Sequence, residues 1–207
     1  GGLLAAGALG YGAYKGFGPL IKKVKDIMRK DKETVYRPNG SVEQVNHLRP
    51  DGSVKEMHQF SPGGSVERVK YLSPDGSVEQ VHHFSPKGNV EQIHHFSPHG
   101  YREKIQHIRP DGSVSQVKHL QDNNVRLVQH LGADGNIEEV SHFKPNGNIS
   151  HSHHYRSDGS TKQINYYRPD LSINQITYHR PDSSISQTYY HGPDGSVNKI
   201  NYHGLNG

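Results

Sequence analysis

Seventeen histidines in 207 residues are this chain's main stock of groups able to ligate a metal, carry a proton or stack as flat rings. Their spacing is regular. His47, His83, His95, His107, His119, His130, His142 and His154 hold one recurring position, which passes late in the chain to Tyr166, Tyr178, Tyr190 and Tyr202. Adjacent pairs such as His82-His83 point to opposite faces of an extended strand and cannot chelate together. Histidines that return on every second strand lie roughly 9.6 Å apart, too far to share an ion bound at about 2 Å from each ring. Two arrangements survive. His151 and His153 share one face of one strand, and His82 and His94 are diagonal neighbours one repeat apart. These four are the candidate metal ligands. A full site needs three or four donors, and no nearby acid completes one. The expectation is therefore no resident cofactor, with at most weak transition-metal binding by His. The competing role for these rings is to pair with Glu across strands and to stack along a sheet.

Other chemistry fails on multiplicity. Each Ser, His and Asp recurs at repeat spacing, so any triad built from them would exist many times, whereas an enzyme builds one site. The chain has no Cys, which removes disulfides, thiolate ligands and Cys nucleophiles. It carries no P-loop, no Gly-x-Gly-x-x-Gly and no His-Glu-x-x-His. The net charge of +4 is spread along the chain, unlike the dense basic stripe of a nucleic-acid binder, so no nucleic-acid partner is expected.

What must position these side chains is one twelve-residue phrase repeated about fourteen times, in its clearest form Ser73-Pro74-Asp75-Gly76-Ser77-Val78-Glu79-Gln80-Val81-His82-His83-Phe84. Only the unit around Asp122 is one residue short. Such periodicity means that each unit is one structural element stable only beside its neighbours. Pro-Asp-Gly fits a type I turn followed by a left-handed Gly, a standard hairpin connection with a bulge. The remaining eight residues are rich in Val, Ile, Phe, Tyr and His and carry no helical phasing. The fold class is thus all-β: an antiparallel meander in a single coiled or twisted sheet. Apolar residues at a spacing of three leave an alternative, a parallel β-solenoid with twelve residues per rung.

Numbering the repeat from Ser77 as position 1, a turn at Pro-Asp-Gly places position n opposite 10 − n on the next strand. Position 2 (Val78) then faces position 8 (Phe84), and position 5 faces itself, Val81 against Ile93. Position 3 faces position 7, so that Glu91 lies between His83 and His107. On this register even positions occupy one face and odd positions the other.

The units Asp75-Gly76-Ser77-Val78-Glu79-Gln80-Val81 resemble the YD repeats of Rhs and teneurin-type shells, which also run turn-Gly-x-apolar-x-x-apolar before an aromatic. The resemblance spans residues 37 to 204. The naming Tyr-Asp pair is missing, with Tyr36-Arg37 and Tyr167-Arg168 the nearest matches, and those family units are longer. The likeness implies a coiling β-hairpin sheet without catalytic residues of its own.

Ahead of the array, residues 1–35 form a separate unit. An uncharged Gly/Ala/Leu run to Tyr14 precedes a basic amphipathic helix from Pro19 to Lys30, with Leu20, Ile21, Val24, Ile27 and Met28 on one face. It reads as a membrane anchor or surface helix, as a cap on the first strand, or as a packing element in an assembly. The array itself occupies 36–207. The expected function is non-enzymatic: a structural protein, extracellular or at the cell surface, that joins copies of itself through sheet edges or faces into fibres. Membrane contact would run through residues 1–30. The alternatives are a repeat scaffold that presents His and Tyr columns to a glycan, ice, mineral or metal, and a shell fragment of an Rhs-like toxin-delivery protein.

Overall fold

The computed structural model describes residues 31–204, and the regular structure in it is all strand. Fifteen strands, from β1 (Lys32–Tyr36) to β15 (Val197–Tyr202), form one sheet whose order follows the chain. Every neighbouring pair is antiparallel, so the parallel solenoid is excluded. The count exceeds fourteen because Lys32–Tyr36, ahead of the first turn proline, is recruited as a strand. The array thus begins inside the segment expected to end at residue 35. The apolar run and basic helix expected before it lie outside the described residues.

The turns form as their residues demand. At Arg49-Pro50-Asp51-Gly52, the Gly52 N–H donates to the Arg49 carbonyl at 2.9 Å and the Arg49 N–H to the Ser53 carbonyl at 2.7 Å. Gly52 sits at φ +86°, the left-handed conformation that closes a three-residue hairpin loop. Asp51 Oδ1 accepts from the Ser53 N–H at 2.9 Å and the Ser53 hydroxyl at 2.7 Å, which locks the loop from outside. Where the repeat is one residue short, a different turn takes over. Asp122 (φ 51°) and Asn123 (φ 62°) both adopt left-handed conformations, the signature of a two-residue type I′ loop.

Two turns break the glycine rule. Leu171 (φ 69°) and Ser183 (φ 68°) fill the left-handed position with side chains that resist it. Leu171→Gly is expected to raise stability by about 1 kcal/mol, read as a higher Tm. The reverse change at Gly76, whose φ is +87°, is expected to cost a similar amount on mutation to Ala. A lower Tm for Leu171→Gly would refute this.

The register holds next to the turn and then shifts. Phe84 pairs with Val90, the expected 8-to-2 match, but His83 pairs with Gln92, His82 with Ile93 and Val81 with His94. A bulge at position 3 of each incoming strand absorbs one residue and changes the rule from 10 − n to 11 − n. Position 5 therefore faces position 6, not itself. The expected acid–imidazole ladder is lost. His83 and His107 both pair with Gln92, and His95 and His119 both pair with Lys104. The position-3 acids Glu43, Glu67, Glu79, Glu91 and Glu103 are exposed.

Because 11 − n couples odd positions to even ones, successive strands present opposite parities to each face. The expected division into an even face and an odd face is overturned. Along its middle, each face carries position 5 of one strand beside position 6 of the next. One such row runs Val69, His82, Ile93, Gln106, Val117, Gln129, Val140 and His153. Each aliphatic residue is thus flanked by polar ones. Val69 is 3% exposed and Val81 7%, although no second layer covers them among the described residues. The buried middle turns polar towards the C-terminal end on both faces, with Ser152 and Asn165 on one and Thr177 and Thr188 on the other.

The rims are tied by a device not anticipated from sequence. Position-9 arginines reach along the sheet edge. Arg49 donates through Nη1 to the Val54 carbonyl at 2.8 Å and through Nη2 to the Leu72 carbonyl, joining one turn to the next turn on the same rim. Arg37, Arg109, Arg156, Arg168 and Arg180 repeat the contact. Lys cannot span two carbonyls with a planar fork. Arg109→Lys is expected to cost about 1 to 3 kcal/mol, the range for hydrogen bonds from charged donors, by thermal melt. A melt within error of the parent would show that the clamp is ornamental.

Candidate functional site

The sheet concentrates its ionisable side chains where positions 4, 6 and 7 meet across strands. Rings approach in pairs: His47–His58 at 4.7 Å between centroids, Tyr71–His82 at 4.8 Å, His83–His94 at 4.5 Å and His142–His151 at 4.4 Å. Partial burial removes water from the imidazolium form, and a neighbouring cation adds repulsion. Burial, then His83 and Arg102, hold His94 down to about 4. Burial is also the leading cause that lowers His47, His82, His83 and His107. Ion pairing is sparse among the described residues: His58 with Glu56 at 2.6 Å, and His154 with Glu139 at 3.6 Å. Both glutamates occupy position 4, not the position 3 expected to supply them.

The four candidate ligands fare differently. His82 shares a face with Ile93, whereas His94 shares the other face with Val81. The expected diagonal pair therefore sits on opposite sides of the sheet, and His82 and His94 form no joint site. The cause is the one-residue bulge shift. His151 and His153 do share a face, with centroids 5.2 Å apart, as their spacing of two requires.

A third ligand joins them. His142 on β10 (Ile137–Phe143) lies directly opposite His151 on β11 (Ile149–Tyr155). Its ring stacks on that of His151 at an interplanar angle of 10° and lies 5.6 Å from His153. One ring nitrogen from each of the three falls within 4.8 Å of the other two. On 10 − n, position 7 would have met Ser150. The bulge moves it to His151, and no local signal in the sequence marks that step. The Ser150 hydroxyl lies 2.7 Å from His151 Nδ1 and so fixes that ring's orientation. Tyr166 on β12 (Thr161–Tyr167) stacks beyond His151 at 5.9 Å, and Tyr155 flanks His153 at 6.3 Å. Burial followed by the charge of His142 lowers His151, and burial followed by His151 and His142 lowers His153. The lowering favours the neutral form of these two imidazoles.

The reverse face of the same strands holds a different cluster. Ser152, fully buried, meets the Tyr167 hydroxyl at 3.1 Å and His154 Nε2 at 3.2 Å, and the Asn165 amide lies 3.0 Å from that nitrogen. Glu139 pairs with His154 on that side. The acid therefore serves the polar core and lies across the sheet from the three-histidine group.

No family model matches the chain, and no curated protein does. Solved structures match parts of the chain at low identity. A Streptococcus pneumoniae structure of accessory secretory proteins 1, 2 and 3 matches at 18% identity and a TM-score of 0.39, over 48% of this chain and 19% of that one. The Gap123 glycosylation-associated complex of Streptococcus agalactiae matches at 16% and 0.40, over 49% and 19%. A mutant of S. aureus TarM in complex with fondaparinux, α-GlcNAc-glycerol and UDP matches at 8% and 0.31, over 81% and 23%. The chain spans about a fifth of the length of these structures. With TM-scores of this size, no functional statement rests on them.

Proposed function

We propose that the chain is a non-enzymatic structural repeat protein that assembles with copies of itself, through the faces of its sheet and along its edges, at the cell surface or outside it. The observation behind this reading is that both faces carry rows of aliphatic and polar side chains and neither is covered among the described residues. A β-sheet conventionally buries an apolar face against a second layer. Here parity alternation puts aliphatic, ring and amide side chains on both faces, so each face can stack on another copy. Sheets packed this way lie about 10 Å apart. Exposed Val197, Ile200 and Tyr202 on the edge strand β15 add an apolar margin for strand pairing. The chain's N-terminal segment, as an anchor or packing element, belongs to the same proposal. No helix among the described residues is long and apolar enough to cross a membrane.

Sedimentation velocity and electron microscopy of the purified chain over a hundredfold range of concentration test this. Fibres or stacked sheets, with mass rising with concentration, are the expected result. A monodisperse monomer throughout the range overturns the reading. It would favour a second one, a scaffold whose ring ladders bind a flat or cyclic ligand such as a glycan. The His47–His58, His83–His94 and His142–His151 pairs support that alternative.

A further inference from the structure

The geometry points to a transition-metal site at His142, His151 and His153, which takes a borderline divalent ion such as Zn²⁺ or Cu²⁺ on three imidazoles and leaves a fourth position open. The inference does not depend on self-assembly.

Donor type decides the class of ion. Three imidazole nitrogen donors suit Zn²⁺ or Cu²⁺ and exclude Ca²⁺ and Mg²⁺, which need oxygen donors. Glu139, the acid on β10 and β11 nearest in register, is turned to the other face by strand alternation. Val140 and Ile164 pair with His153 on either side and flank it with aliphatic side chains. Tyr166 and Tyr155 wall it.

Metal binding asks for a small movement. Tetrahedral Zn²⁺ at about 2.0–2.1 Å from each nitrogen puts the nitrogens roughly 3.3 Å apart. They now lie within 4.8 Å. The strands already hold the three Cα positions, so side-chain rotation alone closes the gap. The stacked His142–His151 pair is the contact that must open. The Ser150 contact on His151 Nδ1 leaves Nε2 of that ring for the ion, the usual division of labour in His ligands. Once bound, the ion joins β10 to β11 side chain to side chain, so it stabilises the folded state by mass action.

The test is titration of the full chain with Zn²⁺ against a chromophoric chelator, with Co²⁺ visible absorption as a report of four-coordinate geometry. One saturable site per chain is expected to stand above any diffuse binding to other histidines, and Zn²⁺ should raise the Tm. His142→Gln, His151→Gln and His153→Gln should each weaken that site by about tenfold or more. His154→Gln, adjacent in sequence but on the opposite face, should leave it within about twofold. Far-UV circular dichroism confirms that each variant keeps its sheet; all three rings are only half-buried. Absence of a saturable site overturns the proposal. So does an equal loss in His154→Gln, and so does an unchanged affinity in His142→Gln, since two histidines of one strand would then suffice.

Discussion

Cysteines placed by Val81→Cys with His94→Cys, or by His82→Cys with Ile93→Cys, are expected to close into a disulfide under mild oxidation, whereas Val81→Cys with Ile93→Cys stays reduced. The effect is close to all or none. Residues directly opposite on antiparallel strands have Cβ atoms about 4.5–5.5 Å apart, within reach of the disulfide range after slight adjustment. Val81 faces His94 and His82 faces Ile93. Of two adjacent pairs, one is of the closer, non-hydrogen-bonded kind, so at least one of the two should link efficiently. Val81 and Ile93 point to opposite faces and cannot meet without breaking the ladder. The parent has no Cys, so the thiol count after oxidation reads the outcome directly. Linkage of the 81/93 pair, with the other two silent, would restore the 10 − n register and remove the bulge.

Acid is expected to loosen the sheet in two stages. His47, His82, His83, His94, His107, His151 and His153 all have lowered pKa values, chiefly through burial. A base whose folded pKa lies below the unfolded value of about 6.5 takes up fewer protons in the sheet than in the unfolded chain. Its stabilisation is complete above that value and is lost as pH falls from about 6.5 towards the folded one, about 4 for His94. The cations that face these rings, among them Arg68, Arg102 and Lys118, push the same way. Only His58–Glu56 and His154–Glu139 bring an imidazole against a carboxylate among the described residues. The second stage belongs to the turns. Hydrogen bonds from Ser73 and Ser77 hold Asp75 down to about 2, and Asp51, Asp111, Asp158, Asp170, Asp182 and Asp194 are lowered by bonds from their own turn serines. A depressed carboxylate stabilises above its unfolded pKa near 4 and loses that effect below it. The Tm is therefore expected to hold from pH 7.5 to about 6.5, to fall from there to pH 4.5 and again below pH 4, with His94→Gln reducing only the first fall. A Tm that holds or rises down to pH 4.5 in low salt would contradict this.

What could be read from sequence follows the range over which each signal acts. Pro50-Asp51-Gly52 specifies its turn because φ preferences and the Asp–Ser53 bonds are local. Strand length and antiparallel order follow from that turn. His151 and His153 were legible because a spacing of two decides the face within one strand. His142 was not, and His82 with His94 were misplaced, because both depend on pairing between strands. A one-residue slip exchanges every face, and the residue that causes it is an ordinary Glu, Lys, Arg, Ser or Asn at position 3 with no Gly to announce a bulge. The arginine rim had a visible signature, Arg-Pro-Asp-Gly. Its partners 23 residues away come into view only when alternate turns line up on one edge.

The bulge also sets an arithmetic for how such a chain can lengthen or shrink. Under 10 − n, every unit would show the same residues to the same side, and the number of units would be immaterial to what each side displays. Under 11 − n, each added unit inverts its successor. Val69 and His153 lie in one row on one side. Excision of the single unit 85–96 would bring His82 opposite Ile105 and carry His142, His151 and His153 to the side away from Val69. Excision of two adjacent units would leave them where they are. Repeat number in this architecture is conserved modulo two wherever a surface spans distant units, so unequal crossing-over that shifts the array by an even count is silent to such a surface, and an odd count erases it.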